Sequence, residues 1–295
     1  MPENFIPITV PDLFTPGRYG LLTAVNWVTP PDANHWRGGI VYDADCTEVA
    51  VTIMECITGA AASKTDTWST LRRAARAFTC YDKVSCTPVG DWWDDAVARS
   101  LRALANSGPT QVEKTFWSGR STTVGGGAVR IWPNLVDDGP IYTDATNRVL
   151  FQPDMVVVSG GLGLDVADAL TALEKAFGDC YDGEGVVHVP YGLANRMAEA
   201  HLLFPDGSNI MRTANGNRVV FGRGYDPTIG INNSTISNGT SWMFMTSPIF
   251  GIRGAPRTFT REQSLDRSVN TLSMIAEQTY VFAWHCCLAG VLVSA

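Results

Sequence analysis

The sequence predicts an α+β fold in which a few helices are flanked by strands on both sides. Three observations carry that prediction: one long helical periodicity opening at Asp91, β-rich apolar runs before and after it, and no regular strand–helix alternation of the kind that builds a parallel sheet. The chain has 295 residues, 45% of them hydrophobic and 17% charged, so it can bury a substantial core and disorder is not the expectation. No internal repeat of roughly 20 to 50 residues is visible, which removes solenoid and propeller folds.

Taken in order, residues 1–20 contain Pro2, Pro7, Pro11 and Pro16, a spacing that forbids a long helix and favours an extended arm. Residues 21–90 read as strands and long turns, with β-rich pieces at 39–42, 49–54 and 77–84 and a small, polar tip at about 59–67. Then Trp93, Val97, Leu101, Leu104, Gly108, Val112 and Phe116 recur at three- and four-residue spacing, with Asp91, Asp94 and Asp95 where the helix dipole favours anions. Inside that run Asn106-Ser-Gly-Pro109 is a stop sequence and Thr110-Gln-Val-Glu113 a capping-box pattern, which predicts a break or kink near Pro109.

After a glycine-rich loop at 125–127, Met155–Val158 reads as a short strand, and Asp165 as the cap of a helix over 166–177. Residues 185–190 read as a buried strand and 191–203 as another helix. Asn-Gly turns follow at 215–216 and 238–239, then a strand at 242–246 and one final strand over 279–293.

The chemistry points away from catalysis. A net charge of −7 and a pI near 5.1 argue against a protein whose main task is gripping nucleic acid. Of the 22 basic residues only Lys64, Lys83, Lys114 and Lys175 are lysines, and an arginine excess suits fixed carboxylate pairing at structured interfaces. The start has no signal-peptide pattern and no apolar run reaches membrane-spanning length, so a cytosolic chain is expected. Seven cysteines without a CxxC or CxxH pair are read as reduced, mostly buried thiols, with a zinc site as the weaker alternative.

The segment Met155 to Asp165 runs from a strand through glycines into a helix, as dinucleotide-binding motifs do. Yet Val166 stands where the third glycine belongs, and Asp165 puts negative charge where a pyrophosphate would sit. The four histidines, His35, His188, His201 and His285, show no metal-ligand spacing, and no Gly-x-Ser-x-Gly elbow occurs. No catalytic, cofactor-binding or metal-binding residue is therefore assigned. Trp92-Trp93 and Phe116-Trp117 each place one ring off the apolar helix face, which fits either a core residue beside a partly exposed ring or a protein interface.

The order of arm, long two-stranded excursion, long helix ending in Gly119, helix–strand–helix block and closing apolar strand resembles the Hong Kong 97-like capsid fold. That fold is shared by tailed-phage major capsid proteins, those of actinobacteriophages in particular, and by encapsulins. Asp94 to Leu104, continuing from Val112 to Gly119, looks like the spine helix of that family. Asp168–Phe177, Gly185–Pro190 and Tyr191–His201 look like its axial helix–strand–helix, and Glu277–Val293 like its last axial strand.

The resemblance implies an N-terminal arm (1–20), an extended β loop region (21–90), a spine helix of the peripheral domain (91–119), an axial domain (120–240), a peripheral return (241–276) and an axial C-terminal strand (277–295). It implies a major capsid protein, not an enzyme, assembling with itself as hexamers and pentamers into an icosahedral head. Portal and possible scaffolding or decoration proteins would be its partners, with packaged DNA enclosed without sequence-specific binding. Such a chain would assemble in the host cytoplasm and reside in the virion, with no membrane. An encapsulin-like compartment is the first alternative and a nucleotide-binding oxidoreductase the second. On this reading the candidate inter-subunit contacts are Phe5, Ile6, Phe14, Lys64, Arg72, Arg73, Arg76, Trp92 and Trp117, and Lys64 lies where some relatives carry a crosslinking lysine.

Overall fold

The computed structural model describes residues 18–30, 35–44, 71–86, 93–119, 131–137, 142–143, 149–150, 155–158, 163–207, 209–236, 239–259, 265–266 and 271–294. The chain enters through a one-turn helix α1 (Leu21–Ala24) and a short strand β1 (Asn26–Trp27), then forms the antiparallel pair β2 (Ile40–Ala44) and β3 (Leu71–Ala75). Strand β4 (Phe78–Cys86) leads to helix α2 (Trp93–Ser118). A two-stranded piece, β5 (Tyr142–Thr143) with β6 (Val149–Leu150), precedes β7 (Met155–Val158) and helix α3 (Val166–Gly178).

Next come β8 (Val186–Pro190), the short helix α4 (Ala194–Glu199), β9 (Phe204–Pro205), β10 (Met211–Arg212) and β11 (Arg218–Gly222). The chain closes with β12 (Thr240–Thr246), β13 (Ile249–Arg253), β14 (Arg257–Thr258), β15 (Leu265–Asp266), β16 (Thr271–Trp284) and β17 (Leu288–Ser294).

Two sheets organise these elements. One is seven-stranded and mixed, in the order β7-β17-β12-β8-β11-β10-β9, and is buried on both faces in its middle. Along β12, Met243 and Met245 pack under α3 with Leu170, Leu173 and Phe177, while Trp242 and Phe244 point to the opposite core. This two-sided burial is why β8, β12 and β17 read as continuous apolar runs rather than alternating ones. The other sheet is built on β16, fourteen residues long, which pairs with β4 along one edge and with β13, β14 and β15 along the other. Helix α2 lies on β16 and β4, and its Phe116 meets Phe282 and Trp284 edge-on.

Of the break or kink expected near Pro109, the break is absent: α2 is continuous for 26 residues with Pro109 inside it. Proline removes one backbone donor, but Leu104, Gly108, Val112 and Phe116 keep one buried stripe through it, and that burial outweighs the local penalty. At its end Gly119 turns with φ +64, and the buried segment 131–137 then covers the last carbonyls. Ile131, Leu135 and Val136 donate their N–H groups to the carbonyls of Gly119, Phe116 and Trp117 at 2.8, 3.1 and 3.2 Å.

Two further expectations are corrected. The helix over 191–203 is a 3-10 turn at Tyr191–Leu193 followed by α4, ending before His201, which adopts φ +57. The single strand over 279–293 is two strands, β16 and β17, in different sheets. Residues 240–246 likewise belong to the seven-stranded sheet and 271–284 to the other. At 247–248 and 285–287 a largely apolar stretch crosses between the sheets, and burial on either side leaves little change of pattern to mark the crossing. The strand expected at 49–54 and the tip at 59–67 lie outside the described residues.

Candidate functional site

The motif that most resembled a nucleotide site is occupied by the protein itself. Strand β7 is an edge strand paired in parallel with β17, and Gly163, at φ +79, passes so close that an added Cβ would lie 2.8 Å from the Ser294 nitrogen. Leu164 exchanges backbone hydrogen bonds with Leu292 and Ser294 at 3.0 and 2.8 Å, and the Asp165 carboxylate accepts from Ala167 N–H at 3.0 Å. Gly163 thus serves close packing on β17, and the helix N-terminus already holds a carboxylate.

Several buried polar groups are likewise engaged in holding elements together. His188, fully buried on β8, lies between the Tyr225 hydroxyl at 2.9 Å and the Thr246 hydroxyl at 3.0 Å, against the Phe116 ring. Burial pushes its imidazole down to about 3, so it is neutral at ordinary pH. Glu113 on α2 accepts the N–H of Leu21 at one carboxylate oxygen and that of Gly224 at the other, both at 3.0 Å. Its burial raises the carboxyl above its ordinary value, against the lowering effect of those hydrogen bonds and of Arg223.

Glu174 on α3 accepts from Thr213, Asn215 and Asn217 at 2.5, 2.7 and 2.7 Å, and Asn217 in turn accepts from Gly185 N–H at 2.8 Å. Arg212 bridges Asp206 and Glu184. Among the described residues no group of three or more His, Cys, Asp and Glu is placed to hold a metal ion. Two surface clefts of about 280 and 210 Å³ fall below the range of about 300–1,000 Å³ that drug-sized ligands fill.

The structure sorts the candidate contact residues. Trp117 is fully buried: its indole donates to the Ile229 carbonyl at 3.2 Å, stacks on Tyr225 and meets Phe244 edge-on. It is a core residue, because the seven-stranded sheet covers the side of α2 that helical spacing leaves off the apolar face. Arg73, 5% exposed on β3, is also interior to the chain. Arg76 is exposed at the root of the β2–β3 pair, beside a cleft lined by Gly39, Val41, Ala75 and Trp132. Phe5, Ile6, Phe14, Lys64 and Trp92, and the side chain of Arg72, lie outside the described residues.

The root of the β2–β3 pair is fixed by the Tyr42 hydroxyl donating to the Trp284 carbonyl at 2.7 Å, and by Trp36 and Ala75 packing on Ile252, Val281 and Ala283. The expectation of reduced thiols is overturned: Cys180 and Cys287 form a disulfide with Cα atoms 6.0 Å apart, and Cys286 is disulfide-bonded as well. Cys80 is a free thiol that burial pushes up to about 11.

Sequence reasoning missed Glu113, Glu174 and the disulfide. Only Glu113 left a signal: a charge between Val112 and the Phe116-Trp117 pair, inside the buried stripe.

No family model and no curated protein matches the chain. Solved structures do. A chain from the capsid of an empty GTA particle, 11% identical, aligns over 97% of this chain and 100% of its own length with a TM-score of 0.55. A chain from the capsid of a native GTA particle, 12% identical, aligns over 99% and 96% with a TM-score of 0.56. A chain of Microbacterium phage Oxtober96, 13% identical, aligns over 98% and 96% with a TM-score of 0.53. The fold defined above, a long helix on one sheet joined to a second sheet with its own helix, is the α+β Hong Kong 97-like capsid fold.

Proposed function

We propose that the chain is a major capsid protein that assembles with itself, as hexamers and pentamers, into the icosahedral head of a tailed phage around packaged double-stranded DNA. The single observation behind this reading is end-to-end structural likeness to capsid chains, with nearly the whole of both chains aligned. Buried polar groups engaged in joining elements and small clefts are what a structural subunit requires. The acidic balance of −7 suits a shell that must not adhere to its DNA.

In this reading α2 with the β16 sheet is the peripheral domain, and the seven-stranded sheet with α3 is the axial domain around five- and six-fold positions. Residues 1–20 form an arm across neighbours, and the region led out by β2 and back by β3 reaches over an adjacent subunit. Repeated modest interfaces close by rotation and act together, so each contact can be weak. Portal and scaffolding or decoration proteins are the further partners, assembly is in the host cytoplasm, and the mature site is the virion.

The test is expression of the chain alone and with the neighbouring head genes, followed by negative-stain microscopy and nucleic-acid extraction. Capsomers or closed shells holding DNA in the phage are the expected result. Shells that hold only a protein cargo would move the reading to an encapsulin-like compartment. A stable monomer that binds a dinucleotide would end it.

A further inference from the structure

The two sheets are connected by two strand crossovers that lie side by side. One is Ser247–Pro248, between β12 and β13, and the other is 285–287, between β16 and β17. Cys286 N–H donates to the Ser247 hydroxyl at 3.1 Å, and Ser247 N–H donates to the Cys287 carbonyl at 3.3 Å. Cys287 is 4% exposed, whereas Cys180 is exposed in the turn that ends α3, where Cys180 and Tyr181 both donate to the Phe177 carbonyl. A bond between them therefore ties the axial helix to the point where the chain passes from one sheet to the other, and closes a loop across a sequence separation of 107. Their Cα separation of 6.0 Å is within the range a disulfide spans without backbone movement.

We propose that Cys180 and Cys287 form a thiol lock on this crossover, open as two thiols while the chain is made and closed as a disulfide once it leaves a reducing cytoplasm. The timing rests on the shell-subunit reading; the lock itself does not. The cytoplasm holds thiols reduced, and an extracellular particle meets low-molecular-weight disulfides. The exposed Cys180 thiolate attacks such a disulfide, forming a mixed disulfide and releasing one small thiolate. Cys287 then loses its proton to solvent, its sulfur displaces the second small thiolate from Cys180 Sγ, and the protein bond forms. The protein loses two electrons, and the external disulfide is reduced to two thiols. Before closure this tie between α3 and the 285–287 crossover is absent; afterwards the two are joined covalently.

The experiment uses the full chain, with thiols blocked by N-ethylmaleimide at lysis or after incubation of purified particles with oxidised glutathione, and peptide mapping by mass spectrometry. The expected result is label on Cys180 and Cys287 at lysis and a linked Cys180–Cys287 peptide after oxidation. Dithiothreitol should then lower the melting temperature by about 8 °C, and Cys180→Ser, a near-isosteric change at an exposed site, should show neither the linked peptide nor that share of the shift. Persistent labelling of both thiols after oxidation overturns the lock, as does a linked peptide already complete at lysis. If no shell forms but oxidation of the soluble chain links the peptide, the shell reading fails and the lock stands; shells without the link give the reverse.

Discussion

Glu113 shows what a single side chain does in this fold. Its two oxygens accept backbone N–H groups from the entry helix α1 and from the loop after β11, so it joins three segments far apart in sequence. Glu113→Ala leaves both donors buried without that acceptor and should cost about 2–5 kcal/mol of stability, read from chemical denaturation. Trp117→Ala should cost about 3–5 kcal/mol by the same measurement, because it opens a cavity where the helix end meets both sheets.

His188 adds a pH dependence whose sign is fixed by its depressed value. Between about 3 and 6.5 the unfolded chain binds a proton that the folded chain does not, so its contribution is complete above pH 6.5 and is lost as pH falls toward 3. Glu113 acts oppositely. Its folded value is raised above 4.5, so its contribution is complete below pH 4.5 and is lost as pH rises through the folded value. The stability difference between wild type and His188→Gln should therefore shrink on acidification from pH 6.5 to 3, by an amount on the order of 4 kcal/mol. A difference flat across that window contradicts the assignment.

At the scale of elements, α2 carries a proline that its packing tolerates. Pro109→Ala restores the missing backbone donor to an already helical segment and should raise stability by about 1–3 kcal/mol, seen as a higher denaturation midpoint with unchanged slope. No change, or a loss, would mean that Pro109 serves a contact the helix alone does not show. The helix itself was legible because its apolar residues repeat every three or four positions from Trp93 to Phe116. Its continuity was not, since Asn106-Ser-Gly-Pro109 is a genuine local stop signal that only the sheet beneath overrides. The last strand failed for a related reason: Thr279 to Val293 is mostly apolar because both sheets bury it, and the exposed His285 is the one polar residue at the corner 285–287. Asp165 and the strand at 186–190 were readable because capping and a short buried run are local properties.

For the whole molecule, the α+β class and the order of segments were legible, and they led to the fold that the structure has. The burial of individual side chains was much less so. Trp117 looked partly exposed because helical spacing describes one element, whereas burial is decided by the second layer placed over it. The disulfide joins residues separated by 107 positions, and only their distance in space identifies the pair. The central claim is that this subunit's work is association into a closed shell, and the most direct measurement is the mass distribution of the purified full-length chain by mass photometry or analytical ultracentrifugation. The account predicts capsomers and megadalton shells, whereas a stable monomer at 31.9 kDa under assembly conditions, including with the other head proteins present, would contradict it.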